Sequence, residues 1–137
     1  MIVGLNHITL SVRDLHQSFE FYKEILRFKP LMRSSRIAYF LAGDLWFCLD
    51  QDPKVRAGAL PEYTHIAFSA EQSLFKDASA RIQSNGVQIW KENESEGDSI
   101  YFLDPNGHKL ELHVGDWRTR IEDAKENPWD EDMEFFV

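Results

Sequence analysis

An internal repeat constrains the fold of this chain more than any other feature. The segment LNHITLSV at 5–12 corresponds to YTHIAFSA at 63–70, and IAYFLAGDLWFCL at 37–49 corresponds to SIYFLDPNGHKLEL at 99–112. A repeat of about 50 residues indicates two copies of one supersecondary unit. Neither copy is large enough to cover its own sheet, so the copies must pair, either within one chain or between two chains.

Hydrophobic periodicity predicts the elements of both copies. Those of the first copy (about 3–50) are a strand at 3–12, a helix capped by Asp14, and strands at 29–41 and 45–50. Those of the second copy (about 63–115) are a strand at 63–70, a helix ended by Asn85-Gly86, a strand at 87–91, and a hairpin at 99–114 with its turn at 104–107. A linker at 51–62 and a C-terminal helix and tail at 116–137 complete the prediction. We therefore expect a single α+β domain, 1–137, of two βαβββ units.

The second hairpin is predicted to have one apolar face and one polar face. The apolar positions are Ile100, Phe102, Leu110, Leu112 and Val114, and the polar positions are Ser99, Tyr101, Lys109, Glu111 and His113. Lys91 and Arg120 flank the polar face, which therefore suits an anion held beside a metal. His108 is predicted to lie on the other face near the turn, and His113 to be peripheral.

Two histidines and one carboxylate are the candidate metal ligands. His7 and His65 occupy equivalent positions of the repeat, and Glu111 lies on the polar face of the last strand. Such a set binds a divalent cation and leaves open positions for substrate. The first copy has only Trp46, Phe47 and Cys48 near the position that matches Glu111. One copy cannot supply all three ligands, so His7 must join His65 and Glu111.

Composition excludes several partners and compartments. The formal net charge is −8, and a nucleic-acid or anionic-membrane partner would require a basic patch. A single cysteine, Cys48, excludes an internal disulfide and suits a reducing compartment. The sequence has no evident signal peptide and no apolar run of the roughly 18 residues that a membrane span needs. We expect a cytoplasmic protein.

The motifs NHITL, YTHIAFS and WKENESEGDSIYFLDPNGHKLELHVG, followed by an arginine, closely resemble those of the fosfomycin resistance thiol transferases. These enzymes are metal-dependent members of the glyoxalase/vicinal-oxygen-chelate superfamily. The resemblance implies Mn²⁺ held by His7, His65 and Glu111. It also implies a homodimer with exchanged repeats, in which His7 comes from one subunit and the other two ligands from its partner.

The same resemblance implies roles for the remaining polar residues. Thr9, Tyr39 and Arg120 would be catalytic. The phosphonate would be bound by Thr9, Lys91, Ser95, Ser99, Tyr101 and Arg120. A K⁺ site would be formed by Asn93, Ser95, Gly97 and Ser99. The thiol channel would be lined by Arg36, Tyr39, Trp46 and Cys48.

The thiol donor is less clearly specified than the metal chemistry. Residues 33–38 are similar to the branch that uses bacillithiol or cysteine, and Ser34 replaces an aromatic residue of the glutathione branch. Glu94 stands where that branch has a basic residue. The spacing of the K⁺ loop is nevertheless kept, so we expect glutathione to be the donor.

Other functions on this scaffold are alternatives. A glyoxalase-like isomerase or a ring-cleaving dioxygenase would need further ligands in the first copy. An epoxide hydrolase would need a carboxylate near position 37, which is Ile37. An antibiotic-binding protein without turnover would not need the metal triad, so a purified protein free of metal would favour it.

Overall fold

The computed structural model describes all 137 residues. Two four-stranded mixed sheets form the architecture. The first sheet, in the order β1-β4-β3-β2, contains β1 (His7–Val12), β2 (Lys29–Arg33), β3 (Ile37–Ala42) and β4 (Leu45–Gln51). The second sheet, in the order β5-β8-β7-β6, contains β5 (Ile66–Ser69), β6 (Ile89–Lys91), β7 (Ser99–Leu103) and β8 (Lys109–His113). The identical strand order confirms the predicted α+β fold of two βαβββ units.

Three helical segments accompany the sheets. Helix α1 (Leu15–Glu20) begins at Asp14, whose carboxylate accepts the backbone N–H of Gln17, and continues as a π-helical turn at Phe21–Ile25. Helix α2 is Gln72–Ser84, and helix α3 is Trp117–Glu126. The predicted cap at Asp14 is therefore confirmed, although the α-helix gives way to a π-helix after Glu20.

The predicted strand at 29–41 is wrong, because the structure contains two strands joined by a turn at 34–36. The backbone N–H of Ile37 donates to the hydroxyl of Ser34 at 3.0 Å, and the N–H of Ser34 donates to the carbonyl of Ile37 at 2.8 Å. A serine that bonds nearby backbone groups offers the chain an alternative to the strand ladder. The first and fifth strands also begin later than predicted, at His7 and Ile66.

One hydrophobic core joins the two copies. The ring of Tyr22 packs 4.8 Å from Phe47, and Phe28 bridges Phe47 at 5.3 Å and Phe68 at 5.0 Å, measured between ring centroids. The apolar faces of both sheets thus meet in this core, to which α1, its π-helical turn and Ile82 of α2 also contribute. The polar faces are left available for chemistry.

The turn at 104–107 is anchored by a buried carboxylate. Asp104 accepts hydrogen bonds from the phenol of Tyr22 at 2.7 Å and from the backbone N–H groups of Asn106 at 2.8 Å and His108 at 2.9 Å. Gly107 has φ +86°, and a side chain there would collide with the backbone of the linker at Gly58. The linker is therefore packed against the turn that leads into β8.

His108 has a structural role in the same region. Its side chain is buried, and Nε2 lies 2.8 Å from the carbonyl oxygen of Ser11. Because a carbonyl oxygen can only accept, Nε2 carries the proton and donates it. His108 thus ties the second hairpin to the first strand.

We expect Asp104→Ala to lower the free energy of unfolding by about 3 kcal/mol, because it leaves three buried donors without an acceptor. Urea denaturation at fixed protein concentration measures the change. Asp44→Ala, in the exposed turn of the first copy, is the matched control and should change stability little. Equal effects of the two substitutions would contradict the anchoring role of Asp104.

Candidate active site

His65 and Glu111 lie together on the polar face of the second sheet. Nε2 of His65 is 3.0 Å from Oε1 of Glu111, whose side chain is buried. Nδ1 of His65 lies 2.9 Å from the carbonyl oxygen of Tyr63 and therefore carries the proton. In the neutral imidazole, the lone pair of Nε2 thus faces a carboxylate oxygen.

This arrangement fits a divalent cation. Two acceptor atoms that face one another repel unless a proton or a metal ion lies between them. Ligand atoms about 2.1 Å from an ion, at adjacent octahedral positions, are separated by about 3.0 Å. A histidine whose other nitrogen donates to a backbone carbonyl is the usual form of a metal-ligating histidine. His65 and Glu111 therefore have the separation and the proton arrangement of metal ligands.

His7 lies on the first sheet, away from this pair. Its Nδ1 is 2.7 Å from Oδ1 of Asn6, which leaves Nε2 free in the neutral ring, and the ring packs 4.6 Å from that of Trp46. Within one chain, no three His, Cys, Asp or Glu side chains are close enough to share a metal ion. The three predicted ligands are therefore not brought together by a single chain.

The strand register shows which positions of the two polar faces are equivalent. Thr9 of β1 pairs with Cys48 of β4, and Ala67 of β5 pairs with Glu111 of β8. Because the two copies share one strand order, Cys48 is the counterpart of Glu111. The first sheet thus has a thiol where the second has a carboxylate.

The predicted thiol-channel residues cluster on the first sheet. Tyr39 pairs with Cys48 across β3 and β4, and its ring packs 5.2 Å from that of Trp46. Burial raises the pKa of the Cys48 thiol, and a hydrogen bond with Thr9 only partly lowers it. Cys48 is therefore a poor nucleophile. Arg36 lies outside this cluster, in the turn that precedes β3, and forms an exposed ion pair of 3.7 Å with Asp50.

Lys91 is held by aromatic rings on the second sheet. Its Nζ lies 4.8 Å from the ring centroid of Tyr101 and 5.7 Å from that of Tyr63. Partial burial lowers the pKa of Lys91, but the two phenols and the carboxylate of Glu94 outweigh it and hold the pKa above its ordinary value. The ring of Trp90 packs 5.3 Å from Tyr101. Lys91 is thus a cation held over the ring of Tyr101, the residue that pairs with Glu111 on the neighbouring strand.

The loop at 93–98 closes on itself. The side-chain amide of Asn93 donates to the carbonyl of Gly97 at 2.9 Å, and the hydroxyl of Ser95 donates to Oδ1 of Asn93 at 2.9 Å. Ser99, the next residue of the predicted K⁺ set, contacts Glu111 instead, at 2.7 Å from Oε2. The four predicted K⁺ ligands therefore lie on one short stretch, whose last residue, Ser99, contacts the carboxylate that faces His65.

Three residues near the site are not identified by sequence reasoning. Asn6 orients His7; Glu96 lies 3.4 Å from Nε of Arg120; and Nδ1 of His113 lies 2.6 Å from the hydroxyl of Ser99. His113 lies on the predicted polar face, but the expectation that it is peripheral is wrong, because its ring is within hydrogen-bond distance of Ser99, which itself contacts Glu111. Its position two residues from Glu111 on a strand was the signal available.

Comparison with known proteins identifies the family. The model of the glyoxalase/bleomycin resistance protein/dioxygenase superfamily matches residues 4–112. Glutathione transferase FosA of Serratia marcescens is 46% identical over 132 residues, covering 94% of this chain and 93% of the relative. The chain belongs to the fosfomycin resistance thiol transferases. Metallothiol transferase FosB of Staphylococcus saprophyticus is 38% identical to this thiol transferase over 142 residues, covering 96% and 94% of the two chains.

A solved structure supports the same assignment of fold. The fosfomycin resistance protein FosX of Listeria monocytogenes, in complex with Mn(II) and 1S,2S-dihydroxypropylphosphonic acid, has a TM-score of 0.77 and 32% identity. The match covers 88% of this thiol transferase and 99% of the FosX chain. The resemblance inferred from the sequence motifs is therefore confirmed.

No helix of this thiol transferase has the length and apolar character required to cross a membrane.

Proposed function

We propose that the protein is a metal-dependent transferase that inactivates fosfomycin by adding a thiol to its epoxide ring. The 3.0 Å approach of Nε2 of His65 to Oε1 of Glu111 carries this proposal, because in the neutral imidazole two acceptor atoms would face one another and suit a divalent cation between them. The names of the FosA and FosB relatives, and the Mn(II) in the FosX complex, support the same chemistry.

The metal would be held by His7, His65 and Glu111, and Mn²⁺ is the proposed ion. When bound, a divalent cation would polarise the epoxide oxygen and stabilise the negative charge that develops there as the ring opens. Oδ1 of Asn6 lies against Nδ1 of His7, and the carbonyl of Tyr63 lies against Nδ1 of His65, so that in the neutral rings Nε2 of each histidine is unprotonated and would be able to bind the ion.

The phosphonate would be bound by cations gathered against the net charge of −8. Lys91 provides a point charge over the Tyr101 ring, and Arg120 provides a forked donor near Glu96. The other proposed contacts are the hydroxyl groups of Thr9, Ser95, Ser99 and Tyr101. K⁺ bound by the loop at 93–99 would add a further positive charge near the same anion.

The thiol would approach along the first sheet. Tyr39, beside Trp46 and Cys48, would accept a hydrogen bond from the incoming S–H group and orient its sulfur, and the proton that leaves the sulfur is the one that ends on the epoxide oxygen. The sulfur then attacks an epoxide carbon, the C–O bond breaks, and the oxygen takes up a proton. Cys48 would line the channel without reacting, because its pKa is raised.

An exchanged homodimer would complete the site. His7 and the channel residues lie on the first sheet, whereas His65, Glu111 and the phosphonate-binding cations lie on the second. We propose that the first sheet of one subunit faces the second sheet of its partner. Each dimer would then contain two complete sites.

The proposed function is tested by measuring fosfomycin consumption in the presence of Mn²⁺. Four parallel reactions contain glutathione, cysteine, bacillithiol or no thiol. We expect turnover with glutathione, a product heavier by the mass of the donor, and stimulation by K⁺. Consumption without any thiol would instead indicate addition of water. Binding of fosfomycin without consumption under all four conditions would favour a sequestering protein.

Glu94→Arg should lower the apparent KM for glutathione several-fold and leave the KM for fosfomycin nearly unchanged. Glu94 is exposed and lies close enough to Lys91 to affect its pKa, so its charge opposes a carboxylate of the donor. Steady-state kinetics measure both constants. Glu92→Arg makes the same change of net charge on the neighbouring exposed residue and is the control. A strong preference for cysteine or bacillithiol, with no response to K⁺, would contradict the glutathione assignment.

A further inference from the structure

Ser99 connects the metal-facing carboxylate to a third histidine. Its hydroxyl oxygen lies 2.7 Å from Oε2 of Glu111 and 2.6 Å from Nδ1 of His113. An ionised carboxylate can only accept a hydrogen bond, so the single hydroxyl proton of Ser99 is donated to Glu111. Nδ1 of His113 must then be the donor to Ser99. His113 therefore determines the direction in which Ser99 donates.

The imidazole of His113 is closely enclosed. A Cβ atom on Gly97 would lie 3.2 Å from Cε1 of His113, and a Cβ atom on Gly115 would lie 3.2 Å from its Nε2. Both glycines have positive φ, at +74° and +121°. The ring of His113 therefore occupies space that is open only because residues 97 and 115 lack side chains. Only 14% of the His113 side chain is exposed. The ring is fixed by packing as well as by its bond to Ser99.

The second ring nitrogen faces the anion site. Nε2 of His113 is 3.7 Å from Oε1 of Glu96, and the same oxygen lies 3.3 Å from the hydroxyl of Thr119 and 3.4 Å from Nε of Arg120. The imidazole therefore lies between the carboxylate that faces His65 and the arginine assigned to the phosphonate.

We propose that His113 is a positioning residue for the metal site. It holds Ser99 as a donor to Oε2 of Glu111, which leaves Oε1 directed at Nε2 of His65. The inference rests on the metal site of the proposed function. It is compatible with K⁺, because a hydroxyl oxygen has two lone pairs and only one is used by His113.

Calorimetric titration of the metal-free protein with Mn²⁺, without substrate, tests this role. His113→Ala should weaken Mn²⁺ binding about 10- to 100-fold, the usual range when the hydrogen bonding of a metal ligand is disturbed. His113→Asn places an amide donor near the position of Nδ1 and should restore affinity close to that of the unmodified protein. His113→Gln places its amide near the position of Nε2 and should remain weak.

Controls separate this role from general destabilisation. His16→Ala removes an exposed histidine of α1 and should leave Mn²⁺ affinity unchanged. If His113→Ala does not fold, the Asn and Gln variants decide the question, with the Tm of each metal-free variant measured alongside. Unchanged affinity in His113→Ala, or equal weakening in the Asn and Gln variants, would overturn the inference. An unmodified protein that binds no Mn²⁺ would overturn the metal site itself.

Discussion

Glu111→Ala should abolish both Mn²⁺ binding and fosfomycin turnover while leaving a folded protein. The substitution removes the carboxylate that faces Nε2 of His65. We expect that the imidazole of His65 does not hold the ion without this carboxylate. His65→Ala and His7→Ala should have the same effect, because each removes one of the three proposed ligands. Elemental analysis of the dialysed variants measures metal content, and a fosfomycin consumption assay measures turnover.

Glu122→Ala on the exposed surface of α3 is the matched control, and it should keep full metal content and activity. Circular dichroism of each variant verifies that the fold is retained. Full metal stoichiometry in any one of the three ligand variants would exclude that residue from the metal site.

Mixing inactive His7→Ala protein with inactive Glu111→Ala protein should restore activity. In an exchanged dimer, a mixed pair has one site with all three ligands and one site that lacks both His7 and Glu111. Random exchange makes half of the dimers mixed, so recovery of about one quarter of the unmodified activity is expected for a two-fold symmetric assembly. Turnover after subunit exchange, monitored with differently tagged chains, measures the recovery.

The control mixture combines His65→Ala with Glu111→Ala. Both ligands lie on the second sheet, so neither site of a mixed dimer would be complete, and no recovery is expected. Two results would contradict the exchanged dimer: recovery of activity in this control mixture, or no recovery in the first mixture after subunit exchange has been demonstrated. Either result would show that a site is not formed by the first sheet of one chain and the second sheet of its partner.

The two-sheet architecture could be predicted because the same alternation occurs twice in the sequence. The position of Glu111 on the polar face follows from the same period of two, since Leu110 and Leu112 are directed to the other face. The break at Ser34 could not be predicted in this way, because it depends on hydrogen bonds between a serine and its neighbouring backbone. Glu96 was missed for a similar reason. It lies in a polar loop without periodicity, and its contact with Arg120 joins two segments distant in the sequence.

Cys48 pairs with Thr9, and Glu111 pairs with Ala67, so these two residues hold equivalent positions in the two sheets. This difference between equivalent positions bears on how one protein can bind two unlike reactants. A duplicated unit with identical copies would present the same metal-binding face twice and would treat both reactants alike. Here the copies differ at this position, among others, so that one face carries a carboxylate and the other carries a thiol whose pKa is raised. Such a difference between the copies would provide the asymmetry that the proposed reaction between an epoxide and a thiol requires.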